Sequence, residues 1–347
     1  MRRPVVVKLG SSLVAGPGGR ARRSLLRARA REIAELVRGG TPVCVVSSGA
    51  IALGLPRLGL KTRPRSLPKL QAASALGQAR LQRVWDEALG REGLVAAQVL
   101  LTSLDVADRA SYLNARNTIA ALVGLGAVPV VNENDATATD EITFGDNDVL
   151  AAQVAILVRA RLLVLLTEVG GVYTRTPGSE GAALVEEGAL AREVDFGPGS
   201  SLGRGGMRSK VIAAEMAAAA GIPTVITAGA GEAVLAPVLA GEPRGTRFAP
   251  QEQAPSAFKL WLRFAKPAAG RLYVDEGARR AVVEQGATLL AVGVASAEGR
   301  FDAGDAVELV GPDGVAFAKG LAEVPAGELR RRPRGVEAVH RDRLVLY

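Results

Sequence analysis

The chain has 347 residues, 48% of them hydrophobic and 22% charged, with a formal net charge of +8. That length exceeds one typical domain and accommodates two, each with its own core. A single cysteine, Cys44, excludes an intramolecular disulfide, and a single histidine, His340, argues against serine-histidine or cysteine-histidine catalysis and against histidine metal sites.

The first two-thirds alternate short strand-like runs with amphipathic helical patterns. A strand at Pro4–Leu9 ends in Lys8-Leu9-Gly10-Ser11-Ser12, where glycine permits close backbone approach and lysine supplies a compact positive charge. Those residues suit a phosphate cradle or a plain strand-to-helix turn, and they match neither the Walker P-loop nor the dinucleotide glycine fingerprint. A helix over Arg22–Arg38 follows, then a strand at Pro42–Ser47 whose end, Ser47-Ser48-Gly49-Ala50, opens a helix over Ile51–Leu58. Such a helix start suits an anion, or serves as ordinary N-capping. Cys44 reads as a small core hydrophobe within that second strand.

A long helix at Leu67–Arg91, a strand at Val95–Leu101 and a helix at Ser111–Gly124 lead to the most informative segment. The apolar strand Ala127–Val131 empties into Asn132-Glu133-Asn134-Asp135, and Gly145-Asp146-Asn147-Asp148 stands shortly after it. Carboxylates and amides packed against a strand end are a poor way to close a core element and a good way to bind a small polar molecule. A helix at Asp148–Arg159 precedes the strand Arg161–Thr167, which ends in Thr167-Glu168-Val169-Gly170-Gly171. A third glycine cluster, Gly203-Arg204-Gly205-Gly206-Met207-Arg208-Ser209-Lys210, overlaps the start of the helix Gly206–Ala220, and a strand at Thr224–Thr227 closes the series. Flexible backbone with two arginines and a lysine at a helix start suits a polyphosphate clamp.

Strand then helix then strand at this cadence predicts an α/β fold, a mainly parallel sheet sandwiched by helices. Strand ends of such a sheet share one face, so the glycine-serine loops and the acid-amide cluster converge, and phosphoryl transfer to an acidic small molecule becomes the leading reading. Residues Gly241–Ala257 read as a linker rich in helix breakers. Beyond them lies a small C-terminal β-rich domain with strands at Gly270–Val274, Thr288–Val292, Ala306–Val310 and Ala316–Leu321, a Gly311-Pro312-Asp313-Gly314 turn and one helix, Glu276–Gln285. The α/β part is set at residues 1–250 and the β-rich part at 258–347.

Net basicity raises the question of nucleic acid. Residues 1–257 carry 29 basic and 23 acidic side chains and residues 258–347 carry 14 and 12, so the excess is +6 and +2 and neither part is an intensely basic module. Aromatic residues, at 4%, offer few stacking platforms. No apolar run reaches the length of a membrane span, and Met1-Arg2-Arg3 runs straight into a strand, so a cytoplasmic protein is expected.

The motifs Val7-Lys8-Leu9-Gly10-Ser11-Ser12, Ser48-Gly49-Ala50, Leu113-Asn114-Ala115-Arg116, Asn132-Glu133-Asn134-Asp135, Gly145-Asp146-Asn147-Asp148 and Gly205-Gly206-Met207 with Lys210 resemble the amino acid kinase family, and within it the branch that phosphorylates glutamate. The tail, with Val274-Asp275-Glu276-Gly277-Ala278 and Val339-His340-Arg341-Asp342, resembles a PUA domain. The resemblance implies ATP-dependent phosphorylation of the γ-carboxylate of L-glutamate, the opening step of proline biosynthesis. It implies that Ser48, Asp135 and Asn147 hold glutamate, that Lys8 and Lys210 neutralise the moving phosphoryl group with Asp148 orienting them, and that Lys8, Thr167, Glu168, Arg204, Gly205, Gly206, Met207, Arg208, Ser209 and Lys210 line the nucleotide. Mg²⁺ is expected with the nucleotide, without a named protein ligand. Relatives usually carry aspartate at the position of Glu168 and threonine at that of Arg204. Feedback inhibition by L-proline, a dimer or tetramer, and transient contact with glutamyl phosphate reductase are further expectations of the resemblance. Two alternatives stand beside it: a kinase for another acidic substrate, and an RNA-binding protein acting through Arg330-Arg331-Arg332 and Arg334 of the tail.

Overall fold

The computed structural model describes residues 2–60, 62–137, 147–191, 194, 206–252, 255–264, 266–331 and 333–347. The chain divides into two compact units, one of Met1–Asp105 with Arg109–Ala254 and one of Val106–Asp108 with Pro255–Tyr347.

In the first unit the elements run β1 (Val5–Leu9), α1 (Ser11–Val14), α2 (Arg23–Arg38), β2 (Val43–Ser47), α3 (Ala50–Gly54), α4 (Leu67–Gly90), β3 (Ala96–Leu101), α5 (Ser103–Ala107), α6 (Arg109–Gly124), β4 (Val128–Glu133), α7 (Asn147–Leu157), β5 (Leu162–Thr167), β6 (Val172–Tyr173), β7 (Leu184–Val185), α8 (Gly188–Ala191), α9 (Met207–Ala219), β8 (Thr224–Ala228), α10 (Leu235–Ala240) and β9 (Thr246–Phe248). Seven strands form one sheet in the order β3-β4-β2-β1-β5-β8-β9. All neighbours pair in parallel except β8 and β9. The expected mainly parallel sheet is present.

β1 lies at the centre and is buried throughout, as a parallel strand covered on both faces must be. Val5, Val7 and Leu9 point into a core shared with Leu26, Ala30 and Ile33 of α2, Leu81 and Trp85 of α4, and Leu235 and Val238 of α10. Strand alternation turns Val6 and Lys8 to the opposite face, where α7 lies against β1 and β5, and α9 lies against β5 and β8. A short clip fixes the loop after β8: buried Arg29 donates to the Gly231 carbonyl at 2.5 Å, and buried Glu32 accepts from the Val234 amide at 2.5 Å.

α3 and α4 cross in backbone contact. A Cβ at Gly54 would lie 1.8 Å from the Ala73 carbonyl oxygen, and one at Gly77 would lie 1.7 Å from that of Ala50. Only glycine fits either position. Three boundaries differ from the sequence pattern. The helix expected over Ile51–Leu58 is α3 followed by a tighter 3-10 turn over Leu55–Leu58, because Pro56 brings no amide donor. β4 continues two residues past Val131, so Asn132 and Glu133 belong to the strand and pair with Leu100 and Leu101. The segment read as a linker contains β9, whose Thr246 hydroxyl accepts from the Val172 amide at 2.8 Å and reaches the Val185 carbonyl at 2.6 Å, tying the small β6–β7 hairpin to the edge of the main sheet.

The second unit contains α11 (Ala257–Phe264), β10 (Ala268–Val274), α12 (Glu276–Gln285), β11 (Leu289–Leu290), β12 (Val294–Gly299), β13 (Ala306–Val310), β14 (Ala316–Ala322), α13 (Ala326–Leu329) and β15 (Glu337–Leu346). Its strands form a six-stranded sheet, β11-β15-β14-β13-β10-β12, around a core of its own that includes Leu272, Val307, Leu309, Leu329 and Val339. Asp275 caps α12 by accepting from the Ala278 amide at 2.7 Å. Asp313 accepts from the Val315 amide at 3.0 Å in the predicted Gly-Pro-Asp-Gly turn. The strand expected at Thr288–Val292 is reduced to Leu289–Leu290, followed by a 3-10 turn. Two helices, α11 and α13, stand beside the one expected.

Replacing Gly77 with alanine is expected to destabilise the first unit by roughly 1–3 kcal/mol or more, since the new methyl meets backbone that cannot rotate away. Thermal unfolding of Gly77→Ala with a midpoint equal to that of the parent chain would contradict the close crossing.

Candidate active site

Because β1, β2, β4, β5 and β8 are parallel, their C-terminal ends share one edge of the sheet. Lys8 stands one residue from the end of β1, fully buried on the face covered by α7 and α9. An ammonium group in that position is tolerated only against a carboxylate. Asp148, in the first turn of α7 and also fully buried, supplies it: Lys8 Nζ lies 2.5 Å from Asp148 Oδ1. Lys210, in the first turn of α9, reaches the other oxygen, with Nζ 3.0 Å from Asp148 Oδ2. The Ser209 hydroxyl lies 3.0 Å from that same oxygen and 2.8 Å from the Gly206 carbonyl. The start of a helix favours an anion and disfavours a cation. Asp148 therefore gains from its place on α7, while Lys210 depends on Asp148 to offset its own.

A second polar network adjoins the first through the neighbouring residue Asn147. Asn147 Nδ2 donates to Asn132 Oδ1 at 2.6 Å, and Asn132 Nδ2 donates to Gln78 Oε1 at 2.7 Å. Asn132 and Asn147 are buried, and with donor and acceptor both engaged Asn132 has a single amide orientation. One helical turn before Gln78, the Ser74 hydroxyl donates to Asp135 Oδ2 at 2.5 Å. Burial raises the Asp135 carboxyl above the usual aspartate range, and the Ser74 bond and the charge of Arg63 pull it back. Glu133 is pushed up to about 7, first by burial and then by the nearby Asp135 charge.

Lys8, Asp148, Ser209 and Lys210 thus meet in one cluster, Asn147 belongs to the adjoining amide network, and Asp135 is held by Ser74, one turn along α4 from Gln78. Ser48, Thr167 and Glu168 occupy the same edge of the sheet. The Ser48 amide donates to the Leu9 carbonyl at 3.1 Å, stitching the ends of β2 and β1 together. Gly49 follows with φ +113°, and a Cβ there would lie 2.8 Å from Val14 Cγ1, so the turn needs glycine. Thr167 ends β5, its carbonyl accepting from the Gly229 amide at 2.7 Å. Glu168 is exposed and stands 3.9 Å from Arg22 Nη2. Gly206 and Met207 begin α9, and Arg208 is exposed there. Gly145, Asp146, Arg204 and Gly205 lie outside the described residues.

Residues 3–228 match the amino acid kinase family, and residues 270–342 match the PUA domain. The chain belongs to the amino acid kinase family. Among its relatives, a glutamate 5-kinase of Geobacter sp. (strain M21) is 42% identical, covering 99% of this chain and 97% of its own. One from Sphingopyxis alaskensis is 45% identical with the same coverage, and one from Moorella thermoacetica is 42% identical, covering 99% and 96%. A solved isopentenyl phosphate kinase is 23% identical and covers 71% of this chain and 99% of its own with a TM-score of 0.50, a likeness of fold.

Sequence reasoning about this amino acid kinase missed Ser74 and Gln78. They sit within Ala72-Ala73-Ser74-Ala75-Leu76-Gly77-Gln78, in the interior of a long helix, and their one signal was polar residues at i, i+4 beside a glycine.

Glu133 makes stability pH-dependent with a definite sign. The folded chain keeps its proton up to about 7 while the unfolded chain releases it near the ordinary value of 4.5, so stability present at low pH is lost as pH rises through that interval. Glu133→Gln removes the loss. Its thermal midpoint should match that of the parent chain at about pH 4 and exceed it at about pH 8; equal midpoints at both values would contradict the shift.

Proposed function

We propose that this chain catalyses the glutamate 5-kinase reaction, transferring the γ-phosphoryl group of ATP to the γ-carboxylate of L-glutamate. The observation that carries it is two lysines, from β1 and α9, held on one buried aspartate beside an acid-amide network, in a chain 42–45% identical to glutamate 5-kinases along nearly its whole length. A kinase domain over residues 1–250 carries the reaction, and a PUA-like domain spans 258–347.

A free glutamate side chain has a pKa of about 4.3, so its attacking oxygen is ionised at neutral pH and no general base is required. The barrier lies in bringing one anion up to another, which demands fixed cations and alignment. Lys8 and Lys210 supply the cations. Asp148 holds both ammonium groups in place, so they need not reorganise when charge develops on the transferring phosphoryl group. The carboxylate oxygen bonds to the γ-phosphorus, the bond from that phosphorus to the bridging oxygen breaks, and ADP leaves with the electron pair. Asp135 takes the substrate's ammonium group, while Ser48 and Asn147 take its carboxylates. Thr167, Glu168 and the segment Arg204–Lys210 line the nucleotide.

Mg²⁺ fits as an ion carried by the nucleotide. The central carboxylate is spanned by two ammonium groups, and among the described residues no group of three or more His, Cys, Asp and Glu side chains could hold a metal, so phosphate oxygens and water are the fitting ligands. When bound, it adds charge neutralisation on the phosphates. The product, γ-glutamyl phosphate, is a labile acyl phosphate, so transient contact with its reductase belongs to the same proposal, as do L-proline as a feedback inhibitor shaped like cyclised glutamate and a homo-oligomeric, cytoplasmic state. Among the described residues no helix is long and apolar enough to cross a membrane.

The direct test is ADP release with L-glutamate as acceptor, with and without L-proline, against L-aspartate and N-acetylglutamate as alternative acceptors. In steady-state kinetics Lys210→Ala is expected to lower kcat by about 10³-fold with little change in glutamate KM. Asp135→Ala is expected chiefly to raise glutamate KM, by about tenfold or more. Near-normal turnover in the lysine variant would refute its assignment.

A further inference from the structure

Ser74 and Gln78 are four residues apart on one face of α4, about 6 Å along its axis. Each holds a different member of the acceptor side. Ser74 donates to Asp135 Oδ2 at 2.5 Å, and Gln78 accepts from Asn132 Nδ2 at 2.7 Å, with Asn132 in turn accepting from Asn147 at 2.6 Å. Ser74, Asn132 and Asn147 are buried, so water does not compete freely for these bonds. Between the two anchors lies Gly77, whose lack of a side chain lets α4 rest against the α3 backbone. The two anchor points are therefore fixed to one another by a helical turn and to the sheet by a backbone contact.

We propose that Ser74 and Gln78 are positioning residues for the phosphoryl acceptor, aiming Asp135 directly and Asn147 through Asn132. This rests on the reading above in which Asp135 and Asn147 hold the acceptor. Neither residue touches the lysine cluster on Asp148 through the contacts described, so their effect falls on acceptor binding rather than on charge neutralisation. The Ser74 hydroxyl commits one oxygen of Asp135, which turns the carboxylate plane and the other oxygen in a set direction. The Gln78 carbonyl commits the Asn132 amide group, which leaves the Asn132 carbonyl to orient Asn147.

Steady-state kinetics of the full chain with L-glutamate and ATP test this. Ser74→Ala and Gln78→Met should each raise glutamate KM by about tenfold, with ATP KM within about twofold of the parent value. Ser74→Thr, which keeps the hydroxyl, should restore most of the loss, which a purely steric role would not predict. Glutamate KM unchanged in both variants, or glutamate and ATP KM rising together with a lowered unfolding midpoint, would overturn the inference while leaving the glutamate kinase reading intact. Absence of glutamate-dependent ADP release from the parent chain would overturn that reading and this inference with it.

Discussion

Two ammonium groups brought together between a sheet and its covering helices repel one another and lose their hydration, and only a carboxylate between them makes the arrangement stable. Asp148 fills that position, with Lys8 on one oxygen and Lys210 on the other. The pairing ties the central strand β1 to the first turns of α7 and α9, beside the Asn147–Asn132 bond that joins α7 to β4. It also explains why a lysine interrupts the valine run of β1: its side chain leaves the apolar face at the point where the strand ends and the binding edge begins.

The proposed acceptor side follows a different logic. Its groups are amides, a hydroxyl and two crowded carboxylates, held by hydrogen bonds whose donors and acceptors are matched along Gln78, Asn132 and Asn147. Burial raises both Glu133 and Asp135, with the charge of Arg63 opposing it only in part at Asp135, whereas two ammonium groups lie on the oxygens of Asp148. A carboxylate that organises cations thus stands beside two raised carboxylates, one of which, Asp135, is proposed to take the substrate's ammonium group. That division suits a substrate carrying an ammonium group at one end and an attacking carboxylate at the other.

The C-terminal unit has a core and a sheet of its own and matches the PUA domain. On one face of its sheet Glu308 gathers Arg271 at 3.1 Å and the Tyr347 hydroxyl at 3.3 Å. Lys319, paired with Glu308 across β13 and β14, is lowered to about 8, mainly by burial, while the Glu308 charge opposes the shift. The unit's basic excess is only +2 and gives no support to an RNA-directed role over the kinase reading.

By itself the sequence determined the parallel α/β architecture, because alternating valine-rich runs and amphipathic helices can bury their apolar faces in few other ways. It also exposed the polar residues at strand ends, since lysine, aspartate and asparagine at the end of an apolar run contradict core packing unless they serve a site. Some elements escaped it: β9 and α13 are too brief for a period to register, β12 has Val294 as its one large apolar residue, and His340-Arg341-Asp342-Arg343 hides β15 behind charges. Tertiary structure alone decided which oxygen of Asp148 each lysine takes and that Ser74 and Gln78 reach Asp135 and Asn132. Those contacts join residues 54 positions apart or more, and their geometry is set by how α4, α7 and α9 pack on the sheet, down to a helix crossing that only two glycines allow.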